Sequence, residues 1–581
     1  MLGTSLPLIG SSHLMHILLY PLVVISGILF LYHSIQQRSR RFILGNIIPG
    51  PPGLPLVGNV LDLRTAKTAE EILIKSLKIS RPYDHHGIVR LWVGPRLVVC
   101  CNNPDDVEAI LGSSVHIDKP VEYGFFKRWF GNGLLISTGE IWRTHRKLIA
   151  PTFHLHVLKS FITQLNTHSN ILVERLNKQV GGKSFDVHDY VAESTVDILL
   201  DGDGSQSEGT NKQHFRLRYR SHEVFNTKKE EYLRHKQAGV NRDIGDLSDV
   251  TQAATKGTYF DQSRGLKDDL DDDVGEKKRL PFLEHLIDTS QNGGPITEKQ
   301  IKEQVDTIMF EGHDTVSAGA SFVICVLGAK PDIQNLNRIN STKHSTNVQE
   351  LLILNLEQYF VRFDNPSLPA EPQEATKHRQ TNDKVLQELD EIFGDSDRPA
   401  TFNDTLSMKY LERVILETLR MFPPVPIIAR LIKEELKLPS GYILPAETTV
   451  VIAQLKIHRL PEIYPNPDEF SPDNFLPENM NNRHYYAYIP FSAGPRSCVG
   501  TSFLLWSRYT SLASRDLLLG LNILGRRKYA MLKLKVMIST ILRNYKVISD
   551  TPLEKFVLRG DVILKRADGF MIRLENRKKT T

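Results

Sequence analysis

The sequence predicts a mainly α-helical protein with small β-sheets, preceded by one N-terminal transmembrane helix. Three observations carry this. Leu14 to Tyr32 is nearly all apolar, broken only by His16, Pro21, Ser26 and Gly27. Helix-like patterns recur along the body, the longest from Glu298 to Leu327. Ile88 to Val99 reads as two short strands joined at Gly94-Pro95.

The apolar run of 19 residues is at the short end of a spanning helix. Arg38, Arg40 and Arg41 follow directly, and positive charge after a span favours keeping that side cytosolic. No basic segment precedes the run and no clear small-residue cleavage site follows it. It reads as an uncleaved signal anchor, with a buried core helix as the competing reading. Pro49, Pro51, Pro52 and Pro55 come next. Prolines fix φ and hinder helix, so this is a stiff connector. The chain thus divides into an anchor with a basic flank (1–45), a proline-rich hinge (46–60) and a body (61–581).

The 581 residues, 41% apolar and 8% aromatic, are enough for a very large core. A net charge of +5 is small for this length, and no Lys/Arg stripe with interleaved aromatics occurs, which argues against nucleic-acid binding. There are four cysteines. Cys100 and Cys101 are adjacent in a strand-like run and Cys325 sits in an apolar segment, so these three read as buried filler.

Helical patterns cover Asp105 to Leu111, Glu140 to Ala150, Glu298 to Leu327 and Leu406 to Phe422. Gln454 to Asn482 is proline-rich and polar and reads as ordered loop. Gly560 to Glu575 reads as a terminal hairpin.

The fourth cysteine carries the chemistry. Cys498 ends the run Phe491-Ser492-Ala493-Gly494-Pro495-Arg496-Ser497-Cys498, followed by Val499-Gly500. Gly494 and Gly500 allow tight turns near a flat ligand, and Arg496 offers a fork of donors suited to a carboxylate. Glu417 and Arg420 stand at i,i+3 ahead of Met421-Phe422-Pro423-Pro424, which puts them on one helix face. Trp142 and Arg146 share a face at i,i+4. Inside the longest helix Glu311-Gly312-His313-Asp314-Thr315 places a glycine where it costs about 1 kcal/mol. A small residue there would let a ligand approach the backbone, and Asp314 with Thr315 could relay protons.

These segments, in this order, resemble the cytochrome P450 family, and specifically its family 4 in an arthropod 4C-like form. The resemblance covers roughly Ile47 to Arg577. It implies the P450 fold and a haem b whose iron is axially ligated by the Cys498 thiolate, a ligand that favours O–O cleavage. It also implies that Trp142, Arg146, Arg430 and Arg496 meet the haem propionates, and that Phe491 and Gly494 shape the cysteine loop. In family 4 the glutamate matching Glu311 can form an ester to a haem methyl. Glu417 and Arg420 are implied to be structural. Asn474 stands where the family usually has arginine, and Arg459 is a candidate to compensate. Tyr123, Phe125, Phe126, Trp129 and Phe130 would line the pocket entrance or anchor in lipid or core.

Three stretches depart from the family. Residues 335–382 separate two halves of what would be one helix. Residues 501–526 interrupt the joint between the cysteine loop and the helix behind it. After about residue 200, helices that would roof the pocket look missing. The first two read as insertions and the third as a deletion.

The function so implied is a microsomal haem-thiolate monooxygenase in the endoplasmic reticulum membrane, its catalytic domain facing the cytosol. It would take electrons from NADPH through NADPH-cytochrome P450 reductase, with cytochrome b5 as a further partner. It would insert one oxygen atom from O₂ into a lipophilic substrate: a fatty acid, an insect hormone, or a xenobiotic such as an insecticide. The alternative is a non-catalytic membrane haem or structural protein of the same fold, inactivated by the insertions and the deletion.

Overall fold

The computed structural model describes residues 11–66, 69–153, 159, 161–200, 225–234, 236–237, 282–329, 372–481, 483–499, 528–560 and 562–577. The chain divides into two compact units.

The first unit comprises Met1–Ile110 and Ala429–Ile452. It begins with the helix Ser11–Arg38. From Leu19 to Arg38 this helix is long and apolar enough to cross a membrane, and none of that stretch is buried in the protein. A second helix, Arg40–Ile47, follows, its first turn capped by the Ser39 hydroxyl. Phe42 stacks on Trp92 at 4.7 Å between centroids, and the Trp92 indole donates to Asn46 at 3.1 Å. Arg40 makes a two-pronged pair with Glu435 (2.7 and 2.8 Å) and Arg41 pairs with Glu447. Arg40 and Arg41 of the basic flank are therefore matched by the protein's own acids.

The proline-rich segment is tied down rather than free. Prolines lack N–H groups but keep their carbonyls. The Pro49 carbonyl accepts from the Arg90 amide (2.8 Å), Pro51 from the Arg90 guanidinium (3.1 Å) and Pro52 from Asn59 (3.0 Å).

The predicted hairpin forms as Ile88–Val93 antiparallel to Arg96–Cys101. The sheet continues with Thr449–Ala453, parallel to Arg96–Cys101, and then Ile427–Leu431.

The second unit comprises Leu111–Ile428 and Ala453–Thr581. Its axis is the helix Glu298–Gly328, opened by a Thr297/Gln300 capping box and buried along nearly all of its second half. Helices Val187–Leu200 and Lys528–Asn544 lie against it.

Two elements differ from the sequence expectation. Leu406 to Phe422 is not one helix but two, Phe402–Ser407 and Lys409–Met421, broken at Met408. The cause is remote: the Glu388 carboxylate caps the amides of Tyr410 (2.6 Å) and Leu411 (2.9 Å). The terminal hairpin is shorter, Leu558–Gly560 with Leu564–Arg566. Met571–Asn576 instead joins a separate three-stranded sheet between Phe185–Asp186 and Tyr545–Ile548.

Residues 501–526 and most of 335–382 lie outside the described residues, as does 201–224, where the loss was read. The helix that carries Val385 and Leu389 already starts at Pro372, within the stretch read as an insertion.

Candidate active site around Cys498

The cysteine loop is held by its own backbone. The Cys498 amide donates to the Phe491 carbonyl (3.0 Å) and the Ser497 amide to Gly494 (3.0 Å). Gly494 has φ +71°, and a Cβ there would sit 1.8 Å from the Leu111 carbonyl oxygen, so only glycine fits. Phe491 is half-buried. Of the four cysteines Cys498 alone is exposed; Cys100, Cys101 and Cys325 are buried, as expected.

Trp142 and Arg146 come from the helix Gly139–Ile149, which both starts and ends one residue before its predicted span. Arg146 reaches the Cys498 carbonyl at 3.4 Å. The Arg496 guanidinium lies over the Trp142 ring at 4.6 Å. It donates to the carbonyls of Leu134 (3.2 Å), Leu135 (3.3 Å) and Ser137. Gln304 of the long helix, fully buried, fixes both neighbours. Its carbonyl accepts from the Leu134 amide (2.9 Å) and its amide donates to His145 Nδ1 (3.0 Å).

Glu311 belongs to the same cluster. Burial pushes its carboxyl up to about 7, while Lys119, Arg146 and Arg496 act in the opposite direction. Arg146 is pulled down by burial and held up by Cys498 and Glu311. Three cations thus act on one carboxyl, and one of them, Arg146, acts on the thiol as well.

Asp314 and Thr315 follow one turn on. The Thr315 hydroxyl donates to the Glu311 carbonyl at 2.6 Å. Asp314 stands 3.0 Å from Lys565 of the terminal hairpin. Gly312 faces Leu199, whose side chain would be 3.1 Å from an added Cβ. Its smallness therefore serves helix packing, where the sequence suggested room for a ligand.

The aromatic segment divides. Phe126 and Phe130 are buried against Phe310, the latter at 4.9 Å between centroids, whereas Phe125 is exposed. Arg430 is buried on Ile427–Leu431, and its guanidinium donates to the Ala429 carbonyl at 2.9 Å.

The structure brings Cys498, Arg496, Trp142, Arg146 and Glu311 together. Sequence reasoning missed Lys119, Gln304, Phe310 and Lys565. Phe310 was legible as a large apolar neighbour of Glu311; the other three carry no local signal. The cluster suits a flat group that bears two carboxylates and a metal able to take a thiolate.

A family model described as Cytochrome P450 matches residues 48–338 and 374–505. Cytochrome P450 4g15 of Drosophila melanogaster is 40% identical, the match covering 97% of each chain. Its 642 aligned positions exceed the length of this chain, so the alignment opens gaps within it. Cytochrome P450 4g1 of the same organism is 39% identical over 100% of this chain and 97% of its own. Cytochrome P450 4c3, also from that organism, is 32% identical over 95% and 93%. The 4g relatives are thus nearer than this 4c relative. The crystal structure of the cytochrome P450DA heme domain shares the fold, with TM-score 0.61 and 17% identity over 92% of this chain and 97% of that one.

Proposed function

This chain belongs to the cytochrome P450 family, in its family 4 branch, and from that premise we propose that it oxygenates a lipophilic small molecule from the endoplasmic reticulum membrane. It is a haem-thiolate monooxygenase. The finer reading is that the substrate is a fatty acid, an insect hormone or a xenobiotic. Electrons come from NADPH through a cytochrome P450 reductase, with cytochrome b5 as a second donor. The helix Ser11–Arg38 anchors the protein, with the body in the cytosol.

The observation that carries this is the Cys498 cluster. An exposed thiol on a loop fixed by hydrogen bonds stands beside Arg146, which with Arg496 and Lys119 also acts on Glu311. Haem, when bound, supplies the activation of dioxygen. Cys498 is its thiolate ligand. Trp142, Arg146 and Arg496 hold its carboxylates. Glu311 is the residue for an ester to a haem methyl. Asp314 and Thr315 hold and pass protons. Phe126, Phe130 and Phe310 give the nearby wall an apolar face suited to a lipophilic molecule.

The domain reading stays anchor 1–45, hinge 46–60 and haem domain 61–581, with 335–382 and 501–526 as insertions and roof helices lost after about 200. The family match supports it by breaking between 338 and 374 and ending at 505. The gaps opened by the 4g15 alignment fit residues missing from this chain.

The test is a substrate screen on the membrane-expressed chain with reductase and NADPH. Oxygenated product from one of the three classes, lost in C498A, supports the reading. Normal haem loading with no substrate-driven NADPH use in any class contradicts it.

A further inference from the structure

Gln304 is fully buried on the long helix, two turns before Glu311 and on the same face. Both ends of its side-chain amide bond to other elements. The carbonyl accepts from the Leu134 amide at 2.9 Å, and the amino group donates to His145 Nδ1 at 3.0 Å. The segment that carries Leu134 lies directly on the helix backbone. A Cβ at Gly133 would stand 1.9 Å from Thr307 Oγ1 and 2.6 Å from the Glu303 carbonyl oxygen, so only glycine allows this approach. A helix interior uses its own amides and carbonyls for itself and has no backbone acceptor to offer the buried Leu134 amide. Gln304 supplies that acceptor from its side chain.

The same segment aims Arg496. The guanidinium donates to the carbonyls of Leu134 (3.2 Å), Leu135 (3.3 Å) and Ser137, with the Trp142 ring against its face. Leu134 therefore stands between Gln304, at its amide, and Arg496, at its carbonyl. The bond to His145 ties Gln304 to the helix that bears Trp142 and Arg146. Phe130 and Ile136, on either side of this stretch, pack with Phe310 in the apolar wall. One short segment thus joins the wall, the long helix and the arginine.

We propose that Gln304 is a positioning residue: by holding Leu134 it fixes the three carbonyls that aim Arg496, and so couples the long helix to the charge that meets the haem carboxylates. The inference rests on the haem reading given above. A guanidinium held near those carboxylates offsets their negative charge and favours the ferrous over the ferric state. Loss of the Gln304 side-chain amide leaves the buried Leu134 amide without its acceptor, which is costly, and the segment shifts to relieve it. Arg496 then loses its fixed aim and the reduction potential falls. Groups that orient a ligand-holding residue act in this way without touching the ligand themselves.

The test uses the full chain in nanodiscs as wild type, Q304M, Q304E, R496K and Q304M/R496K, each first checked for the CO difference band. Q304M keeps the bulk of the side chain and removes both bonds. Q304N, one methylene shorter, replaces it if that variant does not load haem. Q304E keeps the acceptor for Leu134. The readouts are hydrogen exchange over residues 131–137, the resonance Raman band of the haem carboxylates and the midpoint reduction potential. In Q304M exchange is expected to quicken severalfold, the carboxylate band to shift and the potential to become more negative. Q304E is expected to keep the wild-type exchange and carboxylate band. In the R496K background Q304M is expected to add no further shift in potential. An unmoved carboxylate band and potential in haem-loaded Q304M overturn the proposal, whatever the exchange does. A shift of equal size with R496K in place overturns the route through Arg496. Absence of the CO band from wild type overturns the haem reading, and the proposal with it.

Discussion

Arg420 grips Glu417 with two edges of its guanidinium, Nε to Oε2 and Nη2 to Oε1, both at 2.8 Å, and neither side chain is exposed to solvent. The remaining capacity of the pair is filled. Arg420 donates to the carbonyls of His458 (3.1 Å), Pro467 (2.6 Å) and Glu469 (3.0 Å). Glu417 accepts from the Ser471 amide (2.7 Å) and from Asn474 (3.1 Å). Asn474 thus supports Glu417 directly. Arg459 instead donates to the Met421 carbonyl (2.7 Å) and pairs with Asp468 (3.4 Å). Arg483 donates to the Asn474 carbonyl and lies over Tyr464 and Phe475.

Breaking a buried pair leaves an uncompensated charge, so E417Q is expected to cost about 3–5 kcal/mol. N474A removes one bond to a charged acceptor and should cost about 1.5–3 kcal/mol. Urea unfolding of the two variants checks both the sizes and their order.

The pair is wired to the cysteine loop through His458. Its carbonyl accepts from Arg420, and its Nε2 accepts from the Ile489 amide at 2.9 Å. The Ile489 carbonyl accepts from Ser492, and Phe491 next to it accepts from Cys498. H458A should therefore lower haem retention during gel filtration while leaving far-ultraviolet circular dichroism unchanged. H458N, which can keep an acceptor, should restore part of it.

Lys533 is fully buried on Lys528–Asn544, its ammonium donating to the Thr195 carbonyl at 2.9 Å. Burial pushes it down to about 7. A lysine in the unfolded chain titrates near about 10.4. Between those values the unfolded state binds more protons, so stability rises with pH from 7 upward. The wild-type Tm should climb between pH 7 and 9. K533M should be more stable at pH 6 and show a flatter profile.

Glu311, with its carboxyl near 7 and three cations about it, is predicted to attach haem covalently. Acid denaturation followed by reversed-phase chromatography should leave part of the haem with the wild-type polypeptide and none with E311A.

The sequence was most legible where chemistry is local. The hairpin at Gly94-Pro95, the Trp142/Arg146 face and the glycine at 494 follow from spacing and backbone sterics alone, and the structure places each as expected. It was least legible where partners are distant. Glu388, some twenty residues upstream, breaks the helix expected over Leu406 to Phe422. Lys565 meets Asp314 across some 250 residues, and Gln304 bridges Leu134 and His145 with no motif around it. Gly312 misled because a glycine's missing side chain looks the same whether a ligand or Leu199 fills the space.

The most direct measurement is the reduced CO difference spectrum of the membrane-expressed chain, taken for wild type, for C498A and for a variant lacking 501–526. A thiolate-type Soret band in wild type that C498A abolishes is the expected result, and it would make Cys498 the iron ligand of the chain as written. A band that persists in C498A, or none in wild type and none after removal of 501–526, would contradict Cys498 as the haem ligand.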